Sequence, residues 1–308
     1  MDTVSGYEYT TGTHLLITDE DAADFLQSQF TNELRPVEAG RCTYGLWLDV
    51  KGKVVADSYV LCEGDERFRL LSETADTAVL SAKLENHIIA DAVVIEAAPD
   101  LIGFALLGAG SAAVLSELNL AVPGADRFES SDGCVVFCGR RSSAECYEVL
   151  CLSAAKADQV RSVLSRLSVK ILSSEQIAQE RMQAGYPLVP IEIGPSDMPG
   201  EGGLEVDAVS FTKGCYLGQE VVARMHNVGR PQRTLFAVSG KNDCPVCPLA
   251  IYNRETKQVG ELRTAIHCKN GWFGVALLKH RFVDVGDVLL VGDDELVVER
   301  IFREQKGS

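Results

Sequence analysis

One short segment of this chain combines a thiol with glycines and basic residues. Residues 211–224 read Phe-Thr-Lys-Gly-Cys-Tyr-Leu-Gly-Gln-Glu-Val-Val-Ala-Arg. Gly214 and Gly218 bracket Cys215, and glycine permits backbone conformations and close approaches that a side chain blocks. The residues from Gly218 to about Met225 predict a short helix, so Cys215 would lie just before a helix N-terminus, where the dipole favours a thiolate. The spacing predicts a reactive thiol, although a small buried cysteine beside solvated arginines fits the same spacing.

The same segment is locally basic. Between residues 213 and 233 four Lys or Arg residues stand against one Glu, while the whole chain has a formal net charge of −15. Lys213 and Arg224 would favour the thiolate of Cys215, and His226 is a candidate base for it. An anionic ligand needs a local positive potential of this kind, so we expect its charged end to lie near Arg224 or Arg230.

A second cysteine pair, Cys244 and Cys247, forms a Cys-x-x-Cys motif. A zinc site needs four ligands, and only His267 and Cys268 follow at moderate distance. A redox motif is typical of a strand–helix junction, whereas this pair falls in a predicted turn between strands. We favour a structural role, and the sequence leaves metal binding open.

Composition limits the class of protein that carries these groups. The chain has 308 residues, 46% of them hydrophobic and 24% charged, which is typical of a globular protein with a sizeable core. The net charge of −15 argues against free-standing nucleic-acid binding. No run of about 20 apolar residues is present, and the first residues lack the basic start of a secretory signal. We therefore expect a cytoplasmic protein with reduced cysteines, no membrane association and no direct nucleic-acid partner.

The elements that must position these groups alternate between helix and strand. Hydrophobic patterning predicts strands at 15–17, 44–50, 54–62, 68–71 and 92–97 with helices at 22–30 and 77–87, then strands at 104–107, 135–137 and 147–152 with helices at 112–118 and 154–167. Short strands at 235–238, 259–265, 272–278, 288–291 and 295–302 predict a small β-barrel or sandwich. Residues 186–203, rich in Pro and Gly, predict a long connecting loop. The fold class is α+β with a C-terminal all-β unit.

Several motifs together resemble one family. Lys-Gly-Cys-Tyr-x-Gly-Gln-Glu at 213–220 is similar to the signature of the YgfZ-type folate-binding proteins, relatives of the glycine-cleavage T protein, an aminomethyltransferase. The runs at 180–187 and 21–33 resemble the family's Glu-Arg-Ile-x-x-Gly-x-Pro and Asp-Ala-x-x-Phe-Leu-Gln-x-Gln-x-Thr-Asn-Asp. The Lys-Gly-Lys turn at 51–53, followed by Asp57, fits the family's first hairpin. Their order and spacing cover nearly the whole chain.

The resemblance implies two ferredoxin-like α+β domains and a C-terminal β-barrel around a central channel that binds tetrahydrofolate. It implies a first domain at 1–95, completed by 172–231, a second at 96–171 and the barrel at 232–308.

Cys215 and Asp57 would be the catalytic residues, with Asp57 a general base or a stabiliser of a developing cation. The alternative for Asp57 is a solvated strand residue without a catalytic role. The folate-binding residues would be Lys213, Gly214, Tyr216, Gly218, Gln219, Glu220, Arg224, Arg230 and Trp47.

Two departures from T protein bear on the activity. Where T protein has an Asn-Ala-x-Asn motif at the end of a strand, this chain has Leu-Ser-Glu-Thr-Ala at 71–75, with Ser72 and no Asn. Where T protein has its pterin-binding Glu, this chain has Ala144, with Glu145 one place away. We therefore expect a tetrahydrofolate-binding accessory protein that supports iron–sulfur proteins, including those that modify tRNA. A folate-dependent aminomethyltransferase using Asp57, and a scaffold without ligand, are the alternatives.

Overall fold

The computed structural model describes residues 3–229 and 231–303. We number strands and helices in chain order. The first group comprises β1 (Ser5–Thr10), β2 (Thr13–Thr18), α1 (Ala22–Gln29), β3 (Cys42–Leu48), β4 (Val54–Gly64), β5 (Arg67–Ser72), α2 (Thr77–Glu85) and β6 (Val94–Ala97). The second comprises β7 (Ile102–Leu107), α3 (Ser111–Glu117), β8 (Phe128–Ser131), β9 (Cys134–Cys138), β10 (Cys146–Cys151), α4 (Ala154–Arg166), β11 (Lys170–Ile171) and α5 (Ser174–Ala184). The last comprises α6 (Gln219–Val228), β12 (Arg233–Gly240), β13 (Leu249–Tyr252), β14 (Gln258–Cys268), β15 (Gly271–Lys279), β16 (Val288–Val291) and β17 (Asp294–Ile301).

These strands form two open sheets and a closed barrel. The first sheet has the order β3-β4-β5-β2-β6, and the second has the order β11-β1-β7-β10-β9-β8. The barrel closes in the order β12-β15-β14-β13-β16-β17. The predicted α+β class with a C-terminal barrel is confirmed. The sequence analysis did not predict strands β1, β8, β11 and β13 or helix α5. Nor did it indicate that β1 pairs with β7 and β11 in the second sheet.

The two sheets pack face to face, and each carries helices on its other face. Leu61 and Leu71 of the first sheet meet Val135, Phe137 and Leu150 of the second in one buried cluster. The Tyr59 and Phe137 rings lie 4.7 Å apart between centroids across this contact. Helices α1 and α2 cover the outer face of the first sheet, and α3 and α4 cover that of the second. Side chains that alternate along β4 therefore point either to the helices or to the space between the sheets.

The segment between α5 and α6, residues 185–218, returns to the first sheet, and we call it the returning segment. The backbone N–H of Val54 donates to the Asp197 carbonyl at 3.0 Å, and the backbone N–H of Ser210 donates to the Thr31 carbonyl at 2.9 Å. The Thr31 hydroxyl donates to the Ala208 carbonyl at 2.6 Å. These bonds hold the irregular segment over strands β3 and β4, so it closes one end of the space between the sheets. The domain boundaries themselves stay a prediction.

The helices of the described residues are short. None of those within 3–229 and 231–303 is long and apolar enough to cross a membrane.

Candidate functional site

A cavity opens where the two sheets and the returning segment meet. It encloses about 690 Å³, open mouth included. Its walls combine aromatic rings, carboxylates and guanidinium groups. Among the residues that line it are Tyr9, Tyr44, Asp57, Tyr59, Ser72, Glu73, Phe137, Arg140, Arg141, Glu148, Arg181 and Tyr186. Concave sites with partly apolar walls and a few converging polar groups are typical of small-molecule binding.

Asp57 is held at the wall of this cavity by two hydroxyl donors. The Tyr44 hydroxyl donates to Asp57 Oδ2 at 2.8 Å, and the Ser72 hydroxyl donates to Oδ1 at 3.3 Å. Burial raises the pKa of the Asp57 carboxyl to about 6, against the opposing effects of the Tyr44 bond and the nearby Arg140 charge. A buried carboxyl that titrates near neutral pH within a cavity is suited to exchange a proton with a ligand.

Glu148 and Arg141 form a buried ion pair on the opposite sheet. Arg141 Nε donates to Glu148 Oε1 at 2.7 Å, and Arg141 Nη1 donates to Glu73 Oε2 at 2.6 Å. The Tyr9 hydroxyl donates to the other Glu148 oxygen at 2.7 Å. Glu148 is only 3% exposed, and its partners satisfy it within the described structure. This network fixes a carboxylate and a guanidinium at set positions in the cavity wall.

Arg140 lies between two aromatic rings of the cavity. Its guanidinium carbon is 3.8 Å from the centroid of the Tyr44 ring and 4.7 Å from that of the Tyr186 ring. It also forms an ion pair with Asp207 of the returning segment. Arg140 therefore connects the second sheet, the first sheet and the returning segment at the cavity.

Sequence reasoning overlooked Glu148, Arg140 and Arg141 as site residues. It weighed Glu145 as the carboxylate of this strand, but Glu145 is exposed and does not line the cavity. Glu148 faces inward because β10 alternates its side chains, and Glu145 precedes that strand. The adjacent arginines 140 and 141, directly after β9, were the available signal.

Trp47 does not reach the cavity. It is fully buried, its Nε1 donates to the Ser58 hydroxyl at 2.9 Å, and its ring lies 4.8 Å from that of Phe30. Trp47 pairs across the strands with Ala56, whereas Asp57 pairs with Leu46. Because adjacent strand residues point to opposite faces, Trp47 belongs to the core beneath the helices and Asp57 to the cavity. The structure thus does not bring Trp47 to the position that the sequence analysis expected.

The thiol motif lies elsewhere on the molecule. None of the described residues from 213 to 229 lines the Asp57 cavity. Cys215 is exposed, and the other nine cysteines are buried or half-buried, all ten being in the described ranges. Helix α6 begins at Gln219, as the spacing predicted. The structure therefore separates the two groups that the sequence analysis named as catalytic.

The Lys213 ammonium contacts backbone carbonyls rather than the Cys215 thiol. Its ammonium donates to the carbonyls of Gln27, Phe30 and Asn32 at 2.7–2.8 Å, at and beyond the end of α1. Burial lowers the pKa of the Lys213 ammonium to about 8. The carbonyls of Gln27 and Phe30 lie in the last turn and at the C-cap of α1, where helix carbonyls have no intrahelical partner. The expectation that Lys213 favours the Cys215 thiolate is therefore not supported by its contacts.

Gly218 explains why the motif has a glycine at this position. Its φ is +82°, and a Cβ there would lie 2.7 Å from the Asp49 carbonyl oxygen in the turn between β3 and β4. The Gly52 Cα of the same turn would be 3.0 Å away. The thiol motif and the Lys-Gly-Lys turn thus touch backbone to backbone. Gly214, in contrast, has open space where a Cβ would be.

The other motif residues divide between core and surface. Tyr216 is 6% exposed and packs among buried apolar residues, and burial raises the pKa of its hydroxyl to about 12. Its hydroxyl has no hydrogen-bond partner within the described residues. Gln219 donates its backbone N–H to the Tyr216 carbonyl at 3.1 Å. Glu220 and Arg224 are exposed on α6.

Two further expectations concern residues near the motif. Arg230 lies outside the described residues. His226 does not serve the thiol in this structure: its Nδ1 lies 3.1 Å from Glu205 Oε2, and its ring stacks on Phe211 at 3.9 Å between centroids.

Cys244 and Cys247 are half-buried beside the barrel core. Burial raises the pKa of the Cys247 thiol to about 11 and also raises that of Cys244. No group of three or more His, Cys, Asp or Glu side chains within 3–229 and 231–303 is placed to hold a metal ion. The raised pKa lowers the thiolate fraction of both thiols, which disfavours thiol exchange.

Comparison with known proteins agrees with the fold and with the resemblance to this family. Residues 2–132 match the family model described as the GCVT N-terminal domain. The chain is 24% identical over 285 residues to the tRNA-modifying protein YgfZ of Yersinia enterocolitica, covering 90% of this chain and 85% of that protein. It is also 24% identical over 294 residues to the YgfZ of Yersinia pestis, covering 91% and 86%.

A solved structure extends the comparison to the whole fold. The glycine cleavage system aminomethyltransferase T of Bartonella henselae superimposes with a TM-score of 0.83 at 16% identity, covering 98% of this chain and 87% of that one. The resemblance stated from the motifs is confirmed, and the fold is that of the aminomethyltransferase.

Proposed function

Because this chain is similar to YgfZ proteins along nine-tenths of its length and has the aminomethyltransferase fold, we propose that it is a reduced-folate-binding accessory protein that supports tRNA-modifying iron–sulfur enzymes. The observation that carries the folate part is Asp57, a half-buried carboxyl in the cavity between the sheets that accepts from two hydroxyls and whose pKa burial raises to about 6. The iron–sulfur part rests on the resemblance alone.

The chemistry of the cavity wall fits a folate. A pterin ring presents N–H donors, which a carboxylate such as Asp57 accepts, and a flat face, which Tyr44 and Tyr59 contact. Arg140 and Arg141 are already paired with Asp207, Glu148 and Glu73, so they shape the wall around the pterin rather than supply free cations for the anionic glutamate tail. Arg224, to which the sequence analysis assigned that charged end, lies on α6 and does not line the cavity. The bound folate would supply one-carbon chemistry, while this chain's own residues bind it, orient it and hold a proton at Asp57.

Calorimetric titration with tetrahydrofolate and folinic acid tests the proposal. We expect Asp57→Asn to weaken binding by about tenfold or more, since it removes a buried charged acceptor worth about 1.5–3 kcal/mol. Asp65→Asn, in an exposed turn, is the matched control and leaves the dissociation constant unchanged. Absence of binding by the wild-type protein at millimolar folate would overturn the proposal.

Proton release distinguishes direct contact with Asp57 from an indirect effect. Donors on the ligand stabilise the ionised carboxylate, so binding at pH 6 releases a fraction of a proton from Asp57. Titrations in two buffers of different ionisation enthalpy measure that fraction, and it disappears in Asp57→Asn. Equal proton release by wild type and variant would place the ligand away from Asp57.

We further propose that Cys215 is the reactive group of the accessory role, by displacing a leaving group from an electrophile, by transient iron ligation, or by exchange with a partner's disulfide that releases a thiolate. Its exposure supports this, because a thiol must be reached before it reacts. Alkylation mapped by mass spectrometry should label Cys215 faster than Cys244 and Cys247.

A complementation experiment tests the role in cells. Cys215→Ser should impair an iron–sulfur enzyme in complemented cells, whereas the control Cys268→Ser should not. Full complementation by Cys215→Ser would limit the motif to a structural role.

Aminomethyl transfer is the second candidate function, and the same Asp57 favours it. A carboxyl with a pKa of about 6 is suited to general base work at neutral pH. Ser72, where an Asn is expected, argues against it. Transfer of a labelled aminomethyl carbon to tetrahydrofolate, lost in Asp57→Asn, would select this alternative.

A further inference from the structure

A second cleft lies on the molecule, separate from the Asp57 cavity. The turn between β3 and β4, helix α6 and the end of β15 form its walls. It encloses about 1520 Å³, including space open to solvent, and none of its lining residues is shared with the Asp57 cavity. We call it the basic cleft and define it by Lys51, Lys53, Lys279 and Arg281.

The carboxylates of the basic cleft are already paired. Glu201 accepts from Arg233 Nε at 2.7 Å, and Glu205 lies 3.1 Å from His226 Nδ1. Arg233 also pairs with Asp197 at 3.1 Å, so two carboxylates share this guanidinium. Glu205 stays uncompensated while His226 is neutral, so the four cations that define the cleft outnumber the carboxylates beside it without cancelling them.

None of those four cations forms an ion pair within the part of the chain that the structure describes. Lys53 Nζ donates to the neutral Ser196 carbonyl at 2.9 Å, and Lys279 Nζ donates to the Gln258 carbonyl at 3.3 Å. The Arg281 guanidinium lies 4.5 Å from the Phe282 ring centroid, and the Lys51 side chain is exposed. In a chain of net charge −15, four unpaired cations around one concavity make a local positive potential that attracts anions.

The wall between these cations is apolar. Met198 packs in the buried core, and Val221 and Met225 of α6 pack against it, with one face of each lining the cleft. Methionine side chains adapt to ligands of varied shape.

We propose that the basic cleft binds a small organic anion with a phosphate or carboxylate head group on an apolar body. The head group meets Lys51 and Arg281 at the rim, and the apolar body lies on Met198, Val221 and Met225. This site goes beyond the proposed folate function, and neither depends on the other.

Fluorescence titration with 8-anilinonaphthalene-1-sulfonate, which has an anionic head on an apolar body, tests the proposal. We expect saturable binding that the double variant Lys51→Glu with Arg281→Glu weakens by roughly tenfold, and that rising salt weakens as well. The matched control, Lys170→Glu with Lys269→Glu, makes the same charge change at exposed sites away from the cleft and leaves affinity within about twofold. Lys51→Gln with Arg281→Gln, which introduces no new charge, should give an intermediate loss if the reversed pair disturbs folding.

Three results would overturn the proposal. One is equal weakening by both charge-reversed pairs, which would show a general charge effect. Another is unchanged affinity in the Lys51 and Arg281 variants, which would place the dye elsewhere. The third is binding of a 20-nucleotide polyuridylate more tightly than the dye, with the loss of that binding in the Lys51 and Arg281 variants. This result would make the cleft an RNA site. Titrations repeated with saturating folinic acid should give the same dye affinity, so failure of folate binding would not affect this outcome.

Discussion

Burial raises the pKa of the Asp57 carboxyl, so this group keeps its proton to a higher pH in the folded protein than in the unfolded chain. The pKa of the carboxyl is about 6, against 3.8 for an unperturbed aspartate. Below about pH 4 both states are protonated, and between the two pKa values the folded state binds more protons. The free energy of unfolding therefore falls as pH rises through this window, by about 3 kcal/mol in total. Such a destabilising group in a cavity is typical of a functional residue.

Asp57→Asn should remove this pH dependence. We expect the variant to match wild type near pH 4 and to be more stable at pH 8, by up to about 3 kcal/mol. Urea unfolding at pH 4.5, 6 and 8 measures the difference. For the exposed control Asp65→Asn, the difference should stay flat across pH. A variant less stable than wild type at pH 8 would show that the Tyr44 and Ser72 bonds outweigh the burial cost.

Lys213 stabilises the end of α1 through three carbonyl acceptors. Lys213→Met keeps the apolar stem but leaves the carbonyls of Gln27, Phe30 and Asn32 without that donor. We expect a loss of about 2–4 kcal/mol in the free energy of unfolding. Lys241→Met, at an exposed turn, should change it by less than about 0.5 kcal/mol. If the two variants unfold at the same urea concentration, the Lys213 bonds contribute nothing net.

Helix α6 is joined to the β3–β4 turn through glycine. Gly218→Ala places a Cβ 2.7 Å from the Asp49 carbonyl oxygen and forces an L side chain to φ +82°. We expect a cost of about 1–3 kcal/mol, measured by thermal unfolding. Gly214→Ala, in the same motif but with open space around its Cβ, should cost less than about 1 kcal/mol. If both variants lower the free energy of unfolding equally, the two glycines affect stability through the entropy of the unfolded chain rather than through the contact between Gly218 and Asp49.

Asp207 joins three separate parts of the molecule. It lies on the returning segment and pairs with Arg140 from the second sheet and with Arg303 beyond the last barrel strand, the latter at 2.6 Å. The two guanidiniums oppose its burial and keep the pKa of the Asp207 carboxyl below its usual value. Its contribution to the free energy of unfolding is therefore present above about pH 4 and is lost as pH falls through the folded pKa.

Asp207→Asn should destabilise the whole fold, because it leaves two partly buried guanidiniums close together. We expect about 1–3 kcal/mol at pH 7, a difference that begins to shrink below about pH 4, where the unfolded chain takes up a proton first, and that is lost only below the lowered folded pKa. Asp158→Asn breaks an exposed ion pair with Arg161 and should cost less than about 0.5 kcal/mol. Chemical unfolding of both variants at pH 7 and pH 3.5 tests this. A constant Asp207→Asn effect at both values would mean that the ion pairs are not its cause.

Local patterning was enough to predict most of the elements. Alternation along β3 and β4 and the helical spacing in α1 predicted these elements, and the short strands after residue 232 predicted the barrel. The start of α6 after Gly218 followed from the same kind of spacing. These properties depend on near neighbours in the chain, so the sequence by itself determined them.

Tertiary structure decided which of the candidate residues meet. Asp57 and Cys215 both had suitable chemistry, but Asp57 faces the space between the sheets and Cys215 lies on the surface beside α6. Lys213 is two residues from Cys215 in sequence, yet its long side chain reaches the end of α1, where its ammonium donates to three carbonyls. Glu148 joins the site through β10 pairing with distant strands. Such contacts join residues far apart in the chain, and no local pattern encodes them.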